Sequence, residues 1–507
     1  MKSEQRISGR TATNRLRGIV WRHAIILTLG FSLAAPLRAE PIRLHPENPH
    51  YFLFQGKPTV LITSAEHYGA VVNRDFDYVA YLDTLQAWRL NYTRIYPGFL
   101  FEPVDKFIKG NTLAPKPEGL VLPWTRSDQP GYRLGGHRFD LSRWDSAFFS
   151  RLKDFVAKAG ERGVVVEVCF FNAQYADTWP ISPLYHENNV QGVGRCGHQD
   201  VQTLKHADLV QVLDQYVRKI TTEVNEFDNV ILEICDEPAL TGTPFALAGP
   251  WIAHEIDVIR QTEEGLPKRH LIAQQVEGPV GGPCDFSNDP RVAVVTTQYV
   301  WDADVEQMGG MKALDAKYDC GKPIELNETN YYPVWYSGDK VAASRVEAWE
   351  FIVGGGAGFN HLNGIFTVAN PTGNTPDNQQ ILQALRNLRE FINSFEYLKM
   401  RPDRGIVTGG VPADALCRVL GEPGRQYALY LHHSKGAKGS CYTVTPGNYQ
   451  ENLTLRLPAG VYQVDWVEPA SGRTIRADKI THEGGDRTLS TPSYTVDIAL
   501  RITSKSG

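Results

Sequence analysis

The sequence predicts an α/β protein: a (β/α)8 TIM barrel followed by a small all-β sandwich. Two observations carry this. From residue 58 onward, short runs of Val, Ile and Leu alternate with amphipathic stretches of helical spacing, the pattern of parallel strands covered by helices. From about residue 399 the texture changes to apolar/polar alternation broken by Pro-Ala-Gly and Ser-Gly turns, the pattern of antiparallel strands.

In chain order, PTVLIT (58–63) is apolar and β-branched, the first strand. Residues 76–88 carry helical spacing. LNYTRIYP (90–97) is the second strand, ended by Pro97, which has no N–H for a ladder. Residues 146–163 read as an amphipathic helix closed by Gly163, and VVVEVCFF (164–171) as a strand buried on both faces. A helix follows at 207–226, a strand at 229–235, a helix at 251–264, and strands at 270–275 and 292–300. Then come a short helix near 305–318, a strand at 323–328, a helix at 341–353, a strand at 358–364 and a helix at 378–396. Eight βα units with enlarged loops fit a closed barrel. An open doubly wound sheet is the alternative, but no Gly-rich phosphate-binding fingerprint follows the first strand.

Residues 1–39 stand apart. Six basic residues precede the apolar run AIILTLGFSLAAPL (24–37), and Ala39 offers a small residue for cleavage. This reads as a signal peptide. The expected division is therefore 1–39 signal peptide, 40–398 barrel and 399–507 sandwich, in an exported protein, periplasmic or extracellular. Residues 1–39 carry seven Lys/Arg and one Asp/Glu. Without them 45 basic and 56 acidic residues remain, a balance of −11. Such a chain is poorly suited to nucleic acid or, once the signal is cleaved, to an anionic membrane. A neutral polymer is the easier partner. Oligomeric state is left open.

The seven cysteines include no CxxC pair, and none of the fourteen histidines stands in an HExxH pattern, so neither a metal nor a cofactor is expected. Cys417–Cys441 and Cys284–Cys320 are possible disulfides that spacing alone does not fix.

The fourth strand, NVILEICDEP (229–238), ends in two adjacent carboxylates and a proline. Barrel enzymes keep their chemistry at strand C-termini. Strict alternation puts Glu237 on the face of Glu233 and Cys235, pointing into the mouth, with Val230, Leu232 and Ile234 toward the helices and Asp236 at the rim. The seventh strand, KPIELNETN (322–330), likewise ends in Glu328. Strands four and seven face each other across a barrel mouth, and glycoside hydrolysis needs two facing carboxyls. One is kept protonated for the leaving oxygen; the other is ionised to attack the anomeric carbon. Glu325 is the rival nucleophile, since parity does not say which face of the seventh strand is inward. With Glu328 chosen, Glu325 calls for a partner in the helix layer. Glu233 reads as a buried ion-pair member, and Arg94 as a partner for it or for Glu325.

These motifs resemble clan A of the glycoside hydrolases, the retaining (β/α)8 enzymes that include family-five cellulases and mannanases. The resemblance spans about residues 50–396. NVILEICDEP is similar to their fourth-strand pattern, which implies Glu237 as acid/base. KPIELNE is similar to their seventh, which implies Glu328 as nucleophile. LNYTRIY resembles the second strand, whose Arg (here Arg94) supports the nucleophile. TTQYVWD resembles the sixth, with Tyr299 as the aromatic hydroxyl. The opening FLFQGKPTVLIT and the C-terminal sandwich resemble exported, cellulase-like bacterial proteins whose last domain is of a collagen-binding type.

Several positions depart from that pattern. Asp236 stands where the family has an Asn that contacts the sugar 2-hydroxyl; a carboxylate accepts but cannot donate, and its charge favours a protonated Glu237. Gln298 stands where cellulases commonly have His. His67, Asn172 and His361 are further candidate sugar contacts, the two histidines equally readable as hydrogen-bonded packing. Long loops at 97–140 and 172–200 carry Trp124, Tyr132, Tyr175, Trp179 and Tyr185. Trp179 is the candidate stacking platform, and loops overhanging both sides favour short or chain-end substrates. The expected function is retaining hydrolysis of β-glycosidic bonds in an oligo- or polysaccharide. The alternative is a non-catalytic carbohydrate- or matrix-binding protein on a decayed barrel.

Overall fold

The computed structural model describes residues 40–504 apart from 279–280, 299–308, 330–337, 363, 404 and 438–440. The expected signal peptide lies outside the described residues. Eight parallel strands form the barrel: β1 (Leu61–Ser64), β2 (Tyr92–Ile95), β3 (Val165–Asn172), β4 (Val230–Asp236), β5 (Leu271–Gln275), β6 (Val294–Gln298), β7 (Ile324–Glu328) and β8 (Gly358–His361). Their order around the sheet is β1-β8-β7-β6-β5-β4-β3-β2. The seam between β1 and β2 is closed at Asn91, whose backbone N–H donates to the Ile62 carbonyl at 3.3 Å. The Asn91 side chain accepts from the Ile62 N–H at 3.0 Å and donates to the Val60 carbonyl at 3.0 Å, supplying hydrogen bonds that a β1–β2 ladder would otherwise make.

Among the described residues seven helices cover the barrel: α1 (Tyr78–Ala87), α2 (Ser146–Glu161), α3 (Ala207–Val224), α4 (Phe245–Glu264), α5 (Gly309–Lys317), α6 (Lys340–Val353) and α7 (Pro376–Ile392). Local chemistry sets their starts. Asp77 and Asp145 accept from the first free N–H groups of α1 and α2, and Thr375 does so for α7 with Pro376 behind it. α4 begins at Phe245, six residues before the expected start, and runs through Pro250. Among the described residues no helix separates β5 from β6, so the βα repeat is incomplete there.

Strand composition explains the core. All eight residues of β3 and all seven of β4 are buried, as expected where helices cover one face and barrel side chains fill the other. One expected loop has structure of its own. Trp124–Pro130 pairs antiparallel with His137–Trp144 in the connection between β2 and α2, past the expected end of the loop at 140, turning through Gly135 and Gly136, both at positive φ. A three-stranded sheet, Arg43–Leu44, Phe52–Phe54 and Lys57–Thr59, precedes the barrel.

The C-terminal region is antiparallel. A six-stranded sheet runs Arg401–Pro402, Leu416–Glu422, Gln426–His432, Asp497–Ser504, Gly460–Glu468, Arg473–His482. A three-stranded sheet runs Val407–Gly409, Asn452–Leu457, Gly485–Ser490. Leu429, Leu431, Trp466 and Leu500 build a core with Leu453 and Leu455 of the second sheet. On the opposite face of the strand, Ala428 and Tyr430 join the barrel core, with Tyr430 stacked on Trp349 of α6 at 5.6 Å. Period-two alternation thus lets one strand serve two cores. A buried pair fixes the junction: Arg345 of α6 grips Asp497 through Nε at 2.9 Å and Nη2 at 2.8 Å. Among the described residues no helix is long and apolar enough to cross a membrane.

Candidate active site

The site is built on the C-terminal ends of β2, β4 and β7 around one guanidinium. Arg94, on β2, has no exposed surface. Its Nε and Nη2 reach Glu233 Oε2 at 2.8 and 2.6 Å, its Nη2 reaches Asp236 Oδ1 at 2.9 Å, and its Nη1 stands 3.4 Å from Glu328 Oε2. Tyr68 and Tyr96 place their rings 4.8 and 5.4 Å from the same guanidinium carbon. A buried Arg is tolerated here because three carboxylates and two aromatic faces replace its hydration.

Strict alternation does not hold on either carboxylate-bearing strand. Arg94 binds both Glu233 and Asp236, three residues apart, so Asp236 is in the mouth rather than at the rim. Just beyond it, Glu237 turns off the strand with φ +49° and gives its N–H to Gln275 Oε1 at 2.7 Å. On β7 the register against β6 slips: Thr297 pairs with Leu326, but Gln298 pairs with Glu328. That bulge brings both Glu325 and Glu328 inward, with Leu326 against Gly310 of α5. Glu325 therefore has no place in the helix layer, contrary to expectation. It fills the barrel interior opposite Gly358, where an added Cβ would meet Glu325 Cγ at 2.5 Å. Below the mouth, Asn327 donates to Glu167 at 3.2 Å and to Glu233 at 2.9 Å.

Asp236 is a structural hub. Its two oxygens accept from Arg94, Tyr96, Asn172 (2.9 Å) and Gln298, and it is 0% exposed. With its acceptor capacity taken, it is not open to a sugar hydroxyl, which corrects its expected role as a substrate contact. Asn172 and Gln298 stand in the mouth but spend amide donors on Asp236.

Burial, joined by the charges of Asp236 and Glu277, pushes the Glu237 carboxyl up to about 8. Hydrogen bonds from Tyr175 and Asn172 oppose this, and the Tyr175 hydroxyl donates to Glu237 Oε2 at 3.2 Å. Glu328 is also raised well above the carboxylate range, by burial first and then by the Asp236 and Glu237 charges; the Arg94 charge and the Tyr68 hydroxyl pull it back. A full positive charge thus favours ionised Glu328, whereas only neutral donors favour ionised Glu237. The arrangement can hold one proton donor beside one carboxylate.

Other expected contacts are placed elsewhere. His361 lies behind the barrel wall, its ring between Ser64 Oγ (3.1 Å) and Ser344 Oγ of α6 (2.9 Å), and burial lowers it to about 3. It packs; it does not face the mouth. Trp179 is 3% exposed and gives its N–H to the Cys196 carbonyl at 2.8 Å, so it pins its own loop rather than offering a face. His67 is buried beside Tyr68, 3.6 Å from Glu102. Tyr299 lies outside the described residues. Cys284 and Cys320 are free thiols; the side chain of Cys441 is outside the described set.

Sequence reasoning passed over Tyr68, Tyr96 and Glu277. Tyr96 follows Arg94 by two residues on one strand face, a signal that was present in LNYTRIY. Glu277, two residues past β5, accepts the Ala239 N–H at 3.0 Å, and as a carboxylate beyond a strand's C-terminal end it too was findable.

The fold and site together define a (β/α)8 barrel with a β-sandwich and a carboxylate-lined mouth. No family model and no curated protein matches the chain. Solved structures do resemble it. One, described as a glycoside hydrolase, has a TM-score of 0.60 at 12% identity and covers 92% of this chain and 98% of its own. Another, a glycoside hydrolase family 5 protein from Bacteroides vulgatus, has a TM-score of 0.60 at 11% identity, covering 92% of each. That coverage takes in the barrel and the antiparallel region alike. At such identities the likeness is one of fold.

Proposed function

We propose that the protein is an exported retaining glycoside hydrolase that cleaves β-glycosidic bonds in an oligo- or polysaccharide. The observation that carries this is the pair Glu237 and Glu328, which stand at the C-terminal ends of β4 and β7 on either side of one buried guanidinium that holds Asp236 at 2.9 Å and Glu328 at 3.4 Å. Glu237, protonated by burial and by its neighbours' charges, donates to the leaving oxygen. Glu328, held by Arg94, attacks the anomeric carbon and forms a glycosyl ester. Glu237, now ionised, then takes a proton from water, which attacks the same carbon and frees Glu328. Net configuration is retained. Glycoside hydrolases among the fold neighbours support the class, and the basic-then-apolar N-terminus supports export. On this reading residues 40–398 are the catalytic barrel. The sandwich at 399–507 braces α6 through Asp497 and Tyr430.

The test is product release from a panel of aryl β-glycosides and plant and microbial glycans, with Glu328→Gln beside wild type. Turnover that falls by at least about a thousandfold in the variant supports the assignment. Turnover that survives it sinks Glu328 as nucleophile. Glycan binding without turnover across the panel favours a non-catalytic binding protein.

A further inference from the structure

We propose that Asp214, His254 and Glu255 form a binding site for a first-row divalent cation, Zn2+ in the first instance, in the groove between α3 and α4. This site is on the helix layer, on the opposite side of β4 from the barrel interior, and is separate from the pair Glu237 and Glu328.

Three donors of mixed type converge there, one ligand atom from each residue, all within 4.8 Å of one another. His254 Nε2 and Asp214 Oδ1 are already 2.8 Å apart, tying α4 to α3. Glu255 supplies the independent sign. It is 0% exposed, and neither carboxylate oxygen makes a hydrogen bond of normal geometry. The Trp251 indole N–H, one turn away on the same helix face, and the Arg218 charge both favour the ionised form of Glu255, but neither meets its oxygens with normal hydrogen-bond geometry. A buried carboxyl group whose oxygens make no well-formed hydrogen bond is costly. A cation between it and the His254–Asp214 pair would satisfy it.

Helix geometry makes the bracket. His254 and Glu255 are consecutive on α4, about 100° apart around its axis, so one lies on the outer lip of the groove and the other beneath it. Asp214 faces both from α3. His254 keeps 35% of its side chain exposed and Asp214 21%, which leaves a path for the ion and room for water as a fourth ligand.

The donor set selects the metal. One imidazole nitrogen and two carboxylate groups suit Zn2+, and also Co2+ or Mn2+. Mg2+ and Ca2+ prefer all-oxygen shells and are disfavoured by the imidazole. A bound ion would clasp the two helices that flank β4, the strand leading to Glu237.

The experiment uses the whole mature chain, freed of any affinity tag and stripped with chelator. Zn2+ is titrated calorimetrically, thermal melting is followed with and without it, and Co2+ is added to read the visible absorption of the bound ion. The expected result is one saturable equivalent of Zn2+, a raised Tm and a Co2+ band, with Mg2+ inert. His254→Ala and Glu255→Gln should each weaken binding at least tenfold and abolish the Co2+ band. Because His254 is partly exposed, its variant keeps the fold and stays a fair comparison if Glu255→Gln does not. Absence of one-to-one binding up to millimolar Zn2+ overturns the proposal, as does binding of equal strength in wild type and His254→Ala.

Discussion

The Tyr175 hydroxyl donates to Glu237 Oε2 at 3.2 Å, a bond across the mouth from the loop after β3 to the residue just past the end of β4. Lys106 Nζ lies 4.2 Å from the centre of the same tyrosine ring and pairs with Asp177 at 2.6 Å. The loops after β2 and β3 therefore meet over Glu237. The bond favours ionised Glu237 and so holds its pKa down. Removing it in Tyr175→Phe should move the alkaline limb of the kcat/KM profile upward, because Glu237 must be protonated to act. An unmoved or lowered limb would contradict this.

Asp236 acts on Glu237 in the opposite sense. Its charge raises the Glu237 carboxyl, second only to burial. In Asp236→Asn the alkaline limb should move down. The substitution also takes one negative partner from buried Arg94 and turns an amide N–H toward its donors, so a stability loss of about 3–5 kcal/mol is expected in denaturant melts. The opposite signs of the two limb shifts are the check.

Stability should depend on pH through the barrel interior. Burial, then the charge of Glu325, pushes Glu167 up to about 7, and burial pushes Glu325 up to about 7. The ordinary value is 4.5, so the folded chain holds protons that the unfolded chain releases. The stabilisation is complete below about pH 4.5 and is lost as pH rises through 7. The order of magnitude is about 3 kcal/mol for each group alone, and less for the two together because they interact. Glu325→Gln should flatten the slope of unfolding free energy between pH 5 and 8. An unchanged slope would mean these groups do not titrate there.

His361 separates packing from recognition. His361→Ala should cost about 1–3 kcal/mol of stability, since Ser64 and Ser344 each lose a buried partner, while KM for any substrate stays within twofold. A large rise in KM with stability intact would return His361 to the mouth.

How much of this was legible in the sequence follows from what sets each feature. All eight strands were readable because burial on both faces demands continuous apolar runs such as VVEVCFFN. The start of α4 was not, because Gly249 and Pro250 look like a stop, yet Gly249 packs so closely on the Pro283 backbone that a Cβ would lie 2.2 Å from its carbonyl oxygen. The positions of Glu237 and Glu328 at the mouth were readable from strand ends, and that of Arg94 from the resemblance of LNYTRIY. Their directions were not: the turn at Glu237 and the bulge at Asn327 break the two-residue period that the parity argument assumed. Asp236 therefore became a hub and Glu325 an interior residue. Trp179 and His361 were chosen for their chemistry, but tertiary packing decides which side of a loop or strand such a ring takes.

The central claim is that Glu328 and Glu237 hydrolyse a glycoside by double displacement. The most direct measurement is the anomeric configuration of the first product, followed by proton NMR in the opening minutes of hydrolysis of a β-glycoside that the wild-type protein cleaves. The account predicts that the β-anomer appears first and the α-anomer later, by mutarotation. Initial release of the α-anomer would show inversion and contradict it.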